Sequence, residues 1–229
     1  MEPGRIAKLL GETDVFSVLD PPTRQAMGEN VLVRTFDKGQ SIFVQDDPGD
    51  RMYVLAEGVV KLVVRSPRGE VVELVRHWPP GSFGELAVLD GGRRTASAEA
   101  VERSTLIVIT RDDVLKLLRS NADVAEALLR SLGALVRRAD RQATERVFLH
   151  LPGRVAIQLL ELDEAIQRDH SPKGRSHRIT QTELAQMVGA TRQSVNQALR
   201  SLEARHLIKV TTSGIEILDP VGLRRRASL

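Results

Sequence analysis

The chain has 229 residues, a formal net charge of +3, 41% hydrophobic but only 3% aromatic residues, and no cysteine. That length exceeds the usual size of one domain, so two domains are expected, with aliphatic side chains filling their cores. Without cysteine, disulfides, thiolate metal sites and cysteine-ligated iron–sulfur clusters are excluded.

No apolar run approaches the roughly 20 residues that cross a bilayer, and Met1 to Arg5 lacks a signal-peptide core, so a soluble cytoplasmic protein without membrane association is expected. Charge is unevenly spread. The stretch from Arg137 onward is rich in Arg and Lys and ends in the run Arg224 to Arg226. A basic C-terminal half suits a polyanionic partner, although a solvated basic face would look the same.

In chain order, residues 4–29 carry short helical patterns (Ile6, Leu9 and Leu10, then Thr23 to Met27) around a break at Pro21-Pro22. From 31 to about 109 the period becomes two, in β-branched runs such as Val31 to Phe36, Met52 to Leu55, Val59 to Val64 and Leu106 to Ile109. Turn residues at Lys38-Gly39, Asp46 to Asp50, Pro67 to Gly69 and Pro79 to Gly81 separate them. Many short strands at regular turn spacing predict a sandwich or small barrel.

A short helix is expected near Asp112 and Asp113. A longer one follows, capped by Ser120 or Asn121. Leu128, Leu132, Leu135, Ala139, Gln142, Arg146 and Leu149 alternate by four and three along it, the first four forming an apolar seam. Two copies could pair along that seam, and a helix of about 40 Å outruns a small barrel, so a homodimer is expected. Pro152-Gly153 is read as ending this helix and marking the domain boundary, before an amphipathic helix from Val155 to Ile166. Residues 169–176 read as an exposed loop.

The segment from Ile179 to Ile208 carries most information. Thr180 and Glu183 form a capping box on a short helix whose apolar face is Leu184, Ala185 and Val188. Gly189 makes the turn, and Thr191 caps a second helix with Val195, Leu199 and Leu202 inside. Its outer face presents Arg192, Gln193, Asn196 and Gln197; Thr180, Gln181, Thr191, Ser194 and Arg200 complete the candidate DNA-binding set. This is a helix-turn-helix with base-reading side chains on its second helix: Arg can pair with guanine, Gln or Asn with adenine. Leu207 to Val210 and Gly214 to Leu218 follow as a two-stranded wing.

Three motifs carry a resemblance. They are Pro48 to Tyr53; Phe83-Gly84-Glu85-Leu86 with Arg94-Thr95-Ala96; and Phe148-Leu149 with Gly153-Arg154 followed by Leu184 to Val195. Their order and spacing resemble the CRP/FNR family of bacterial transcription regulators over essentially the whole chain. The resemblance implies an α+β architecture: a cyclic-nucleotide-binding-type β-barrel (jelly roll) over 1–120, a dimerisation helix over 121–151 and a winged helix-turn-helix over 152–229. It also implies a ligand site of Gly84, Glu85, Leu86, Arg94 and Thr95, with Ala139 and Asp140 facing the base. Arg94 would meet a cyclic phosphate, backbone N–H groups near Gly84 and Leu86 and the Thr95 hydroxyl would add donors, and Glu85 would accept from a ribose hydroxyl. Cyclic-AMP members typically place Thr and then Ser or Asn where this chain has Ala139 and Asp140. Cyclic AMP is the first choice of cofactor, with cyclic GMP, another nucleotide or no ligand left open.

The expected function is a ligand-gated regulator that binds palindromic duplex DNA as a homodimer, with RNA polymerase as protein partner. A constitutive DNA binder with a degenerate sensor is the alternative, and a scaffold module is a third reading. No nucleophile–base pair or metal spacing is evident, and His77, His150, His170, His177 and His206 are scattered; neither an enzyme nor a metal site is expected.

Overall fold

The computed structural model describes residues 1–168, 179–212 and 214–227; the loop read at 169–176 lies outside them. The chain divides into two compact units. One comprises Met1–Val64 and Leu74–Arg137, the other Arg65–Glu73 and Arg138–Leu229.

The first unit opens with helices α1 (Pro3–Gly11) and α2 (Pro21–Asn30). Pro21-Pro22 starts a helix instead of breaking one. Asp20 caps α2 by accepting from the Thr23 N–H at 2.7 Å, and prolines in a first turn lack only N–H groups the helix does not use. Strands β1 (Leu32–Phe36), β2 (Ser41–Phe43), β3 (Arg51–Glu57), β4 (Val60–Arg65), β5 (Val71–His77) and β6 (Ser82–Phe83) follow. Helix α3 (Glu85–Asp90), strands β7 (Ser97–Ala100) and β8 (Ser104–Thr110), and helices α4 (Arg111–Ser120) and α5 (Ala122–Phe148) come next.

The strands form two four-stranded sheets, β1-β8-β3-β6 and β2-β7-β4-β5. The jelly-roll arrangement is therefore two open sheets, not a closed barrel. Side-chain alternation explains the layering. Met52, Val54 and Ala56 of β3, with Ile107 and Ile109 of β8, join a core shared with α1, α4 and α5. The intervening Tyr53, Leu55, Leu106 and Val108 join a second core with Val60, Phe83 and Ala98. Both faces of the central strands are covered, and each fully buried aliphatic side chain contributes about 1.5–3 kcal/mol.

Asn121, not Ser120, caps α5: its Oδ1 accepts from the N–H groups of Asp123 and Val124 at 3.0 and 3.2 Å. The hydroxyl of Ser120 instead donates back to Lys116. Val124, Ala127 and Leu128 are buried, and Val124 and Leu128 belong to the core of the first unit. Leu128 is thus committed to its own domain, and the available apolar stripe starts later. Leu132 is half-buried, Leu135 is exposed, and Leu129 and Val136 are 68% and 58% exposed.

The second unit carries α6 (Leu151–Arg168), α7 (Gln181–Val188), α8 (Arg192–Glu203), β9 (Ile208–Thr211), β10 (Gly214–Ile217) and α9 (Pro220–Ala227). Pro152-Gly153 does not end α5. That helix stops at Phe148, and both residues lie in the first turn of α6. Gly153 is required there for α9 to approach, since a Cβ would stand 2.9 Å from the Arg226 carbonyl oxygen. Val155, Ala156, Leu159, Leu184, Val195, Leu199, Ile208, Ile215 and Leu223 make one apolar core for the unit. Helix α9 has no counterpart in the sequence reading, because its eight residues hold one buried apolar side chain, Leu223.

Candidate ligand pocket and nucleic-acid interface

Gly84 adopts φ 84°, ψ 10°, and α3 begins at the next residue. The left-handed backbone favours glycine, and a Cβ would meet Arg94 Nη1 at 2.9 Å. Arg94 is 3% exposed. Its Nη1 donates to the Gly84 carbonyl at 3.0 Å and its Nη2 to the Arg51 carbonyl at 2.7 Å. Its Cζ lies 4.2 Å from the Phe43 ring centre and 5.8 Å from that of Tyr53. Nε is buried with no hydrogen-bond partner. Of five guanidinium donors, two are engaged.

The turn over 46–49 is tied to this arginine through the main chain. Asp46 N–H donates to the Arg94 carbonyl and Arg94 N–H to the Asp47 carbonyl, both at 2.9 Å. Arg93 Nη1 adds a bond to the Asp46 carbonyl at 2.6 Å. Tyr53 and Phe83 are register partners between β3 and β6, which places their rings 5.4 Å apart and stacked. Two sequence motifs, Pro48 to Tyr53 and Phe83 to Leu86 with Arg94 to Ala96, thereby meet at Arg94.

Electrostatics follow from this burial. Desolvation lowers the pKa of Arg94 below the usual guanidinium range, opposed by Tyr53, Asp50, Asp47 and Glu85. Burial pushes the Glu85 carboxyl above its ordinary 4.5, with its own backbone N–H and Arg94 pulling the other way. Leu86 is half-buried and Thr95 exposed. The first unit holds Gly84, Glu85, Leu86, Arg94 and Thr95; Ala139 and Asp140, both exposed on α5, group with the second unit. Phe43 and Tyr53 are not among the site residues that the resemblance implies: Tyr53 lies within the motif Pro48 to Tyr53, whereas Phe43 carries no local signal in the sequence.

In the second unit the helix ends are closed as their sequences demand. Thr180 accepts from Glu183 N–H at 3.1 Å while Glu183 Oε2 accepts from Thr180 N–H at 2.8 Å. Gly189 turns at φ 61°, ψ 51°, and Thr191 accepts from Ser194 N–H at 3.2 Å. Helix α8 buries Val195, Ala198, Leu199 and Leu202 and leaves Arg192, Gln193, Gln197 and Arg200 exposed. Asn196 is half-buried and its Nδ2 donates to Gln181 Oε1 at 3.3 Å, so these two candidates act as a pair. The wing is β9 against β10 with Lys209 opposite Glu216. Such a face has the donors and acceptors that read base edges in a major groove.

Among the described residues, no group of three or more His, Cys, Asp or Glu could hold a metal, and no helix is long and apolar enough to cross a membrane.

Comparison with known proteins places both regions. Residues 33–121 match the cyclic nucleotide-binding domain and residues 153–226 the Crp-like helix-turn-helix domain. The chain is 33% identical over 221 residues to the "CRP-like cAMP-activated global transcriptional regulator" of Mycobacterium tuberculosis, covering 96% of this chain and 99% of that protein. It is 32% identical over 194 residues to the "Cyclic AMP receptor protein" of Thermus thermophilus, covering 85% and 87%. Among solved structures, the Thermus thermophilus catabolite activator protein matches at TM-score 0.54 and 30% identity, over 93% of this chain and 98% of that one. FixK2 from Bradyrhizobium japonicum shares the fold at TM-score 0.75 and 19% identity, over 87% and 98%.

Proposed function

Since the chain belongs to the CRP/FNR family of bacterial transcription regulators, we propose that it binds palindromic duplex DNA as a homodimer under the control of a cyclic nucleotide. Its domains and relatives make it a transcription regulator with a cyclic nucleotide-binding domain and a Crp-like helix-turn-helix, and not an enzyme. In this proposal 1–120 is the sensor, 121–151 the pairing helix and 152–229 the DNA reader, working in the cytoplasm with RNA polymerase as partner.

The observation that carries ligand control is the buried guanidinium of Arg94, with Nε unpartnered and three of its five donors unengaged. A buried unmatched donor on a charged group costs free energy that an anionic ligand would recover. The cyclic phosphate would take those donors, with the backbone at Gly84 and Leu86 and the Thr95 hydroxyl alongside. Glu85 would accept from the ribose, and Ala139 and Asp140 would meet the base. Cyclic AMP is the favoured ligand, in keeping with the relatives' names.

Leu132, Leu135 and Val136 supply an apolar stripe for pairing two α5 helices. Pairing would set two copies of α8 about 34 Å apart, one turn of duplex. Arg192, Gln193 and Gln197, with the Asn196–Gln181 pair, would read bases, while the caps Thr180, Thr191 and Ser194 and the exposed Arg200 would meet the backbone.

A second reading keeps the sensor ligand-free and the DNA binding constitutive. It is favoured by the same arginine, two of whose donors already rest on protein carbonyls. Calorimetry with cyclic AMP and cyclic GMP on nucleotide-stripped protein, beside DNA affinity with and without each, decides between them. Binding of one nucleotide together with a rise in DNA affinity supports gating; no binding with full DNA affinity supports the second reading.

A further inference from the structure

The chain has five Phe, one Tyr and one Trp, yet Phe43 and Tyr53 flank Arg94 and Phe83 packs against both rings. Phe43 stands 5.7 Å from Tyr53 and 6.1 Å from Phe83, centre to centre. Apolar packing alone does not require aromatic rings here, because aliphatic side chains fill most of the surrounding core. The feature that does is Arg94, whose Cζ sits over Phe43 at 4.2 Å, inside the range of about 6 Å for attraction between a cation and an aromatic face.

We infer that Phe43 is a positioning residue for anion binding, holding the Arg94 guanidinium through its ring while leaving the charge and the three unengaged donors for the ligand. The inference rests on the assignment of Arg94 to a cyclic phosphate. Its physical basis is the kind of partner that Arg94 has. Its direct partners among the described residues are two backbone carbonyls and two aromatic rings, while Asp50, Asp47 and Glu85 act on it only through space, without a direct ion pair. A carboxylate would fix the guanidinium but cancel its charge. A ring face and carbonyl dipoles fix it and leave a net positive charge.

The geometry assigns separate parts of the group to separate tasks. Its Cζ lies 4.2 Å from the Phe43 ring centre, a contact separate from its two hydrogen bonds. The carbonyls of Gly84 and Arg51 take one hydrogen each from Nη1 and Nη2, and Nε stays unpartnered. Phe43 closes β2, where the register with β7 shifts between Ser41 and Phe43. From there its ring meets Arg94, a residue 51 positions along the chain.

The test uses full-length protein, titrated calorimetrically with cyclic AMP and with cyclic GMP, in wild type, Phe43→Leu, Phe43→Tyr and Arg94→Ala. Leucine keeps apolar volume and removes the π face; tyrosine keeps the face. Phe43→Leu is expected to weaken the bound nucleotide about fivefold to thirtyfold, the equivalent of about 1–2 kcal/mol, and Phe43→Tyr to restore it. The Arg94 15Nε–1H resonance, assigned by its loss in Arg94→Lys, gives a readout without ligand. It is expected to be sharp in wild type and Phe43→Tyr and broadened in Phe43→Leu. Wild-type affinity in Phe43→Leu, equal loss in Leu and Tyr variants, or an unchanged resonance overturns the positioning role while leaving the phosphate assignment intact. If wild type takes neither nucleotide, or if Arg94→Ala binds as wild type does, the phosphate assignment itself fails and Phe43 loses its proposed role in binding.

Discussion

Arg154 donates through Nη1 to the main-chain carbonyl of Val188 at 3.1 Å. One residue near the start of α6 thereby holds the last residue of α7, immediately before the Gly189 turn that launches α8. Arg154→Ala is expected to leave that carbonyl unmatched and to cost about 1–3 kcal/mol of stability. Urea melts measure the loss, and specific DNA affinity should fall with it. Unchanged melts would show that the bond carries no weight.

Pairing along α5 predicts different consequences for neighbouring leucines. Replacing Leu132 and Leu135 together with Asp should give folded monomers that lose specific DNA binding. Leu128→Asp should instead unfold the first unit, because Leu128 is buried in its core. Light scattering and circular dichroism separate the two. A dimer persisting in the double variant would rule out this stripe as the interface.

Arg94→Ala is expected to reduce cyclic-nucleotide affinity at least tenfold, since charge-assisted hydrogen bonds are worth about 1.5–3 kcal/mol. Asp140→Ser is its companion. If the ligand is cyclic AMP, a hydroxyl there should maintain or improve binding, whereas a large loss would mark the carboxylate as a reader of guanine.

Glu85 links stability to pH. Its folded-state pKa lies above the ordinary 4.5, chiefly because burial disfavours the charged form. The folded protein therefore holds this proton more tightly than the unfolded chain. The associated stability is fully present below about pH 4.5 and is lost as pH rises through the folded-state value. Glu85→Gln, neutral throughout, should melt higher than wild type at pH 7, with the gap closing toward pH 4. Parallel melting curves across that range would contradict this.

Base reading is tested on α8. Arg192 should require a guanine in each half-site, and Arg192→Ala should cost about 1–3 kcal/mol per half-site and broaden the preference there. Gln193 can pair with adenine, so Gln193→Glu should shift its position toward cytosine. Selection from random duplexes with wild type and both variants reports all three. An identical consensus throughout would mean that α8 is not the reader.

By itself the sequence determined whatever neighbouring residues settle among themselves. The capping box of Thr180 and Glu183, the turn at Gly189, the cap at Thr191 and the buried face of α8 were all legible. Each depends on hydrogen bonds or periodicities spanning a few positions. Strand alternation likewise showed which residues of β3 and β8 take opposite faces. It could not show what covers each face, and so left a sandwich and a barrel equally open. Long-range packing decided the rest. Leu128 reads as the first residue of a pairing seam, but the core of the first unit buries it, because a heptad pattern does not say which surface the helix meets. Pro21-Pro22 reads as a break until Asp20 is seen to cap the helix that follows it. Arg94 reads as a free phosphate ligand, yet it is held by Phe43, Gly84 and Arg51. Those three reach it through strand register and a left-handed glycine, and a buried cation is costly unless such partners hold it.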